Sequence, residues 1–186
     1  NGGTVLLTAR SADALLDTVI NTTGVIRANT LSTLENGTIV LDAGDKRVSV
    51  DGTLEARGIN AGTNGGAIQV TGRKVTVAST AIINATGDVA DGTIAFNIGG
   101  VALGGQLTIG AGATLLGDNI TATGNTGNDT IDVSGAAAAV TVNASEGTDT
   151  VTGNGTNTTF AGLDADSDWA INTANAATYT SGANQS

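Results

Sequence analysis

The feature that most constrains this chain is a short apolar–polar alternation, closed by Gly, Asn or Asp, that recurs from one end to the other. "GTIVLDAG", "RVSVDG", "TLEARG", "GAIQVTG", "KVTVAST", "AIINATG", "GTIAFNIGG", "QLTIGAG", "NITATGN", "DTIDVSG", "AVTVNAS" and "TTFAG" all follow the pattern. Alternation enriched in β-branched residues and punctuated by turn formers predicts strands. Each run is about five residues long, so no strand is long enough to build a broad sheet alone. Period-2 reading fixes which side chains share a face. Ile39 and Leu41 point inward, as do Val48 and Val50, Leu54 and Ala56, Ile68 and Val70, Val75 and Val77. Ile94, Phe96 and Ile98, Leu107 and Ile109, Ile131 and Val133, and Val140 and Val142 continue the series.

The strands group in threes. Ile39 and Ile68 open successive groups 29 residues apart, and Ile94 opens the next 26 later. A fixed-order unit of this size predicts a solenoid, in which each unit buries its inner face only by stacking on its neighbours. The inward residues are nearly all aliphatic and aromatics are 2 % of the chain. That suits narrow stacked ladders better than a two-sheet sandwich. The chain has no Pro and 28 Gly. Absence of Pro fits strands that are paired on both edges, and Gly with Asn fits tight corners. The expected class is therefore all-β, a parallel β-helix with three short strands per coil.

Composition removes several function classes. With no Cys there is no disulfide framework or thiolate site, and with no His there is no imidazole base or metal ligand. No apolar run is long enough to cross a membrane as a helix. The seven basic residues all lie within 1–74, where seven acids balance them. Residues 75–186 carry the other ten acids and no Lys or Arg. That half repels polyanions, so no nucleic-acid partner and no membrane insertion are expected. With no initiator Met and no leader-like start, the chain reads as a mature product or a piece of something longer.

Two stretches depart from the repeat. Residues 11–20 (SADALLDTVI) have helical spacing and are expected to form a short helix or an irregular strand. Residues 162–186 hold the only Trp and Tyr and are expected to form an irregular terminal cap with a polar tail. The expected organisation is thus repeats over 1–161, shortening over 101–161, followed by the cap.

"NGGTVLLTARSADALLDTVINTTGVIRAN" followed by "GTIVLDAGDKRVSVDGTLEARG" resembles the repeats of the filamentous haemagglutinin-like large exoproteins, the two-partner-secretion adhesins of Gram-negative bacteria. The resemblance covers residues 1–100 and fades beyond. It implies a right-handed parallel β-helix, export to the cell surface, and an adhesive or structural role without catalytic residues. The family's secretion domain, with its Asn-Pro motifs, is not in this sequence, so the resemblance implies a segment from the shaft or distal region of a longer chain. The implied partner is a host or bacterial surface glycan or protein, or a second copy meeting it end to end in a filament or biofilm matrix.

Few motifs carry chemistry. "GNTGNDTID" (124–132) is close to the Gly- and Asp-rich nonapeptide of calcium-binding β-rolls, and "EGTDTV" (146–151) is a partial second copy. Asp129 and Asp149 are the candidate Ca²⁺ ligands, since carboxylates and turn carbonyls are suitable hard donors. Their spacing is close to two nonapeptides but not equal to them, and the alternative is that each Asp closes a turn. "DADSD" (164–168) alternates like a calcium loop but lacks the Gly and terminal Glu. No cofactor is otherwise required. Sequons at Asn21, Asn36, Asn84, Asn119, Asn128, Asn143, Asn154 and Asn157 are candidate glycosylation sites, with turn geometry as the alternative. Thr-x-Thr pairs are too irregular for an ice-binding face. A polysaccharide lyase or hydrolase needs a base beside paired carboxylates and sugar platforms. Beyond Lys74 no base is suitable and aromatics are scarce, so the expectation is no enzyme.

Overall fold

The computed structural model describes residues 3–9, 18–31, 36–98, 104–155, 157–163, 167–173 and 175–181. The strands, in order, are β1 (Thr4–Thr8), β2 (Thr18–Thr22), β3 (Val25–Arg27), β4 (Thr38–Asp42), β5 (Arg47–Val50), β6 (Thr53–Glu55), β7 (Ala67–Gly72), β8 (Lys74–Val77) and β9 (Ile82–Asn84). They continue as β10 (Thr93–Ile98), β11 (Gln106–Ile109), β12 (Thr114–Leu116), β13 (Asn119–Thr123), β14 (Thr130–Asp132), β15 (Val140–Asn143), β16 (Gly147–Thr152) and β17 (Thr158–Ala161). The last two are β18 (Ser167–Thr173) and β19 (Ala176–Ser181). Among the described residues there is no helix. Of the segment expected to hold a helix or irregular strand, residues 11–17 lie outside the described residues and 18–20 belong to β2.

The strands fall into three sheets. The first runs β1-β4-β7-β10-β13-β15-β17, the second β18-β19-β16-β14-β11-β8-β5-β2, and the third β12-β9-β6-β3. From β1 to β12 the chain visits the three sheets in turn, and every third strand pairs in parallel with the one three before it. The register gives the step: Thr38 pairs Ala67, Ala67 pairs Thr93, and Thr93 pairs Asn119. After β12 the third sheet ends and the steps shorten, so that Thr121 pairs Thr141 and Val140 pairs Thr158.

The in-register pairing stacks like on like. Ile39, Ile68, Ile94 and Ile120 form one column. Val48, Val75, Leu107, Ile131 and Val151 form another. A third runs Leu41, Val70, Phe96, Ala122, Val142 and Phe160, where the small Ala122 follows the large Phe96. Every residue assigned inward by alternation is buried, and together they form one continuous core. Burying such side chains is worth about 1.5–3 kcal/mol each.

One corner depends on missing Cβ atoms. Gly37, Gly66 and Gly92 each precede a strand of the first sheet; the Gly37 and Gly66 carbonyls accept the N–H of Ala67 and Thr93, which open the next strands, and the Gly92 carbonyl accepts that of Asp118, just before β13. A Cβ on Gly66 would sit 2.0 Å from the Gly37 oxygen, and one on Gly92 1.8 Å from the Gly66 oxygen. Successive backbones approach too closely there for any side chain.

The chain ends differently from the way it steps. β19 pairs antiparallel with β16, and β18 pairs antiparallel with β19. Trp169 lies 4.6 Å from Tyr179 and 6.2 Å from Phe160, centroid to centroid. The Tyr179 hydroxyl accepts a 2.9 Å hydrogen bond from the Leu163 N–H.

Candidate functional site

Losing the third sheet changes the connection between the other two. The chain passes from β13 to β14 through residues 124–129; the equivalent residues 144–149 leave β15 through 144–146 and are already in β16 from Gly147. One shortened step superposes Asn125 on Ser145, Gly127 on Gly147 and Asp129 on Asp149, just as it pairs Thr130 with Thr150. The spacing that fails as two nonapeptides is therefore the length of this step. Gly127 (φ 132°) and Gly147 (φ 120°) both have the positive φ that L side chains avoid.

The two aspartates face inward at these turns, Asp129 at 1 % exposure and Asp149 at 0 %. Each does two jobs. Asp129 Oδ2 accepts the Asn125 N–H at 2.7 Å, closing its own turn, and Oδ1 accepts the Gly105 N–H of the preceding step at 2.5 Å. Asp149 Oδ2 accepts the Ser145 N–H at 3.1 Å, and Oδ1 accepts the Asp129 N–H at 3.0 Å. The Ser145 hydroxyl lies 3.3 Å from Asp129 Oδ2, 3.4 Å from Asp149 Oδ2, and donates to the Asn125 carbonyl. A Cβ on Gly124 would stand 2.6 Å from Asp129 Oδ2, so the pocket is closed around the carboxylate. Burial pushes the Asp149 carboxyl above the ordinary carboxylate range, and the nearby Asp129 charge adds to this. The N–H bonds from Asp129 and Ser145 pull against it.

This donor set does not match a calcium shell. Ca²⁺ takes six to eight oxygen ligands, whereas all four carboxylate oxygens here face N–H donors. Among the described residues no three of His, Cys, Asp or Glu converge to hold a metal ion. Asp129 and Asp149 act as buried acceptors that tie one step to the next. Of the other acidic candidate, residues 164–166 lie outside the described residues, and Asp168 is exposed on β18.

The sequon asparagines separate by what their amides do. Asn154 donates to the Ala136 and Ala138 carbonyls at 2.9 and 2.8 Å and accepts from the Thr158 hydroxyl at 2.8 Å. Asn143 donates to the Thr123 hydroxyl, and Asn84 accepts from the Thr86 N–H. Asn128 is exposed, yet its oxygen accepts the Thr148 N–H. Asn21, Asn36, Asn119 and Asn157 are exposed.

Sequence reasoning missed a second constellation. Arg47, Lys74, Gln106 and Thr130 are register neighbours at the start of β5, β8, β11 and β14. With Arg73, Gly104 and Gly105 they line an open notch of about 470 Å³. The signal was available: the basic pairs at 46–47 and 73–74 sit one step of the repeat apart.

Comparison with protein-family models, curated proteins and solved structures finds no match to this chain.

Proposed function

We propose that the chain is a right-handed parallel β-helix serving as a non-catalytic structural and adhesive segment of an exported protein on the surface of a Gram-negative bacterium. The observation carrying this reading is the stepwise parallel pairing. The chain returns to all three sheets at each step up to β12 and to two of them after it, with aliphatic columns running through consecutive strands. Such a body is rigid along its axis and reaches far for its mass. Seven strands at about 4.8 Å separation extend about 30 Å. The handedness, the export and the Gram-negative surface rest on the resemblance of residues 1–100 to the haemagglutinin-like exoproteins. The terminal hairpin β18–β19 fits the role of a cap, because antiparallel pairing stops the parallel stepping of the second sheet.

Antibodies against the chain test the placement: they should label intact source cells, and labelling only after lysis would refute it. Blocking of cell attachment by monovalent fragments of those antibodies tests the adhesive role.

A second reading, a filament or matrix subunit built by end-to-end stacking, is favoured by the opposite end. There β1, β2 and β3 are the last strands of their three sheets and present backbone edges with no neighbour among the described strands. Sedimentation across a concentration range separates the two. A monomer throughout supports the shaft segment, and concentration-dependent polymers support the subunit.

A further inference from the structure

Register sorts the charges of the strands by face. The second sheet carries Arg47, Lys74, Asp132, Asp149 and Asp168 on its strands, and the third carries Arg27 and Glu55. The seven strands of the first sheet carry one charged residue, Asp42 on β4, whose Oδ1 accepts the Gly44 N–H. From β7 to β17 the strands of this sheet hold no charge at all, in a chain of net charge −10. Charges stand only at its rims. Asp91 and Asp118 lie just before β10 and β13, and Arg73 and Glu146 lie beyond the far ends of β7 and β15. Glu35, before β4, and Asp164, after β17, lie outside the described residues.

The outward side chains of the first sheet form a lattice. Alternation turns Gln69, Ala95, Thr121, Thr141 and Thr159 away from the core, and strand pairing sets them in one row. A second row reads Thr71, Asn97, Thr123, Asn143 and Ala161. None of the ten is buried. Neighbours within a row are about 4.8 Å apart, and the two rows are about 6.7 Å apart. Thr121, Thr141 and Thr159 follow one another at 20 and then 18 residues, which looks irregular in sequence. The shortened steps bring them into line. No register shift interrupts this sheet, whereas the second sheet shifts at Thr18/Ile20 and again at Ile171/Thr173. Thr is stiff about χ1, and Asn143 donates to the Thr123 hydroxyl at 3.2 Å across the two strands. The array is therefore rigid as well as regular.

Such a face narrows the choice of ligand. It is flat and uncharged, and its outward side chains include no aromatic ring on which a sugar or base could stack. Liquid water competes for every single hydrogen bond, so isolated polar groups cannot tell ordered water from disordered water. A repeating set of hydroxyls, amides and methyls can, because it seats many water molecules in one pattern. Charged groups would impose hydration shells of their own, and here they are missing. Both repeats of the lattice lie close to the oxygen repeats on the prism faces of ice.

We propose that the outer face of the first sheet binds ice, with Thr121, Thr141 and Thr159 seating the outermost water layer through their hydroxyl and methyl groups. The inference rests on register and charge and stands whether or not the chain is a surface shaft.

Cooling a single ice crystal in a solution of the full chain tests it. Growth should halt over a measurable interval below the melting point, and fluorescently labelled chain should enter a growing ice front that excludes a labelled control protein. Thr141→Lys, at the centre of the row, should lose most of that interval, with a circular-dichroism melt showing an unchanged fold. Should that variant not fold, Thr159→Lys on the last strand of the sheet serves. Thr108→Lys, outward on β11 of the second sheet beside Asp132, should keep the wild-type interval. Growth without a halt at millimolar protein, a halt that survives the first-sheet variant, or an equal loss in Thr108→Lys would each overturn the proposal. Capture of the chain by crystalline cellulose without any effect on ice would assign the face to a neutral polysaccharide and overturn it as well.

Discussion

Replacing Asp149 tests whether the buried carboxylates hold the steps together. Asp149→Ala deletes the acceptors of two N–H groups, Asp129 at 3.0 Å and Ser145 at 3.1 Å. Each buried donor left without a partner costs about 1–3 kcal/mol. Relief of the carboxylate's own desolvation and of its repulsion with Asp129 offsets part of this. The net loss should be about 2–4 kcal/mol, or about 4–16 °C in Tm for a chain of this length. Trp169, the only tryptophan, sits on β18, whose partner β19 pairs with the Asp149-bearing β16. Its fluorescence therefore reports the melt where the change is made. The aspartate also gives a pH signature. Its folded pKa lies above the ordinary value of 3.8, so the folded state binds the proton more tightly than the unfolded one. Its contribution to stability is fully present below 3.8 and is lost as pH rises through the folded pKa. Wild type should thus gain stability on acidification through that window, and Asp149→Asn should show a smaller gain. A Tm for Asp149→Ala within about 1 °C of wild type would refute the acceptor role, since stray surface changes cost no more than about 0.5 kcal/mol. Equal acid gains in wild type and Asp149→Asn would refute the titration argument.

Three further outcomes follow from the packing. Gly66→Ala, whose Cβ would meet the Gly37 oxygen at 2.0 Å, should lose at least about 3 kcal/mol or fail to fold. Gly24→Ala, with nothing within 4 Å, should stay within about 0.5 kcal/mol. Equal melts for the two would contradict the close backbone approach. Phe96→Ala should cost about 3–5 kcal/mol, because its column neighbours Val70 and Ala122 are too small to fill the space; denaturant titration measures it. Neither EDTA nor millimolar Ca²⁺ should move the wild-type Tm; a calcium-dependent rise of several degrees that Asp149→Asn abolishes would show that these aspartates ligate the ion.

Much of the architecture was legible because two periods coincide. Alternation told Val48 from Ser49, and the near-even spacing of Ile39, Ile68 and Ile94 matched the observed register. What hid the rest was a change of step length. Once the third sheet ends at β12, each step skips a strand and shortens, and a reader tuned to the longer repeat sees Asp129 and Asp149 as mis-spaced calcium ligands. The antiparallel ending was hidden for another reason: residues 162–186 depart from the repeat and read as an irregular cap, whereas they hold the strands β18 and β19, and alternation carries no direction in any case. The basic notch was concealed because charges sort by step only after the register is known.

The end of the third sheet at β12 also sets which parts of this chain are interchangeable. A step such as β7–β9 has matching three-sheet faces above and below, so copying or deleting it in frame leaves its neighbours with familiar surfaces. The unit β10–β12 has no such freedom. It receives three strands from one side, through Ile68, Val75 and Ile83, and hands on only two. It is an adaptor between two gauges of the same track. Lengthening by duplication can therefore proceed on either side of it, while the adaptor must occur once, in its present orientation, for the wide and narrow portions to share one interior.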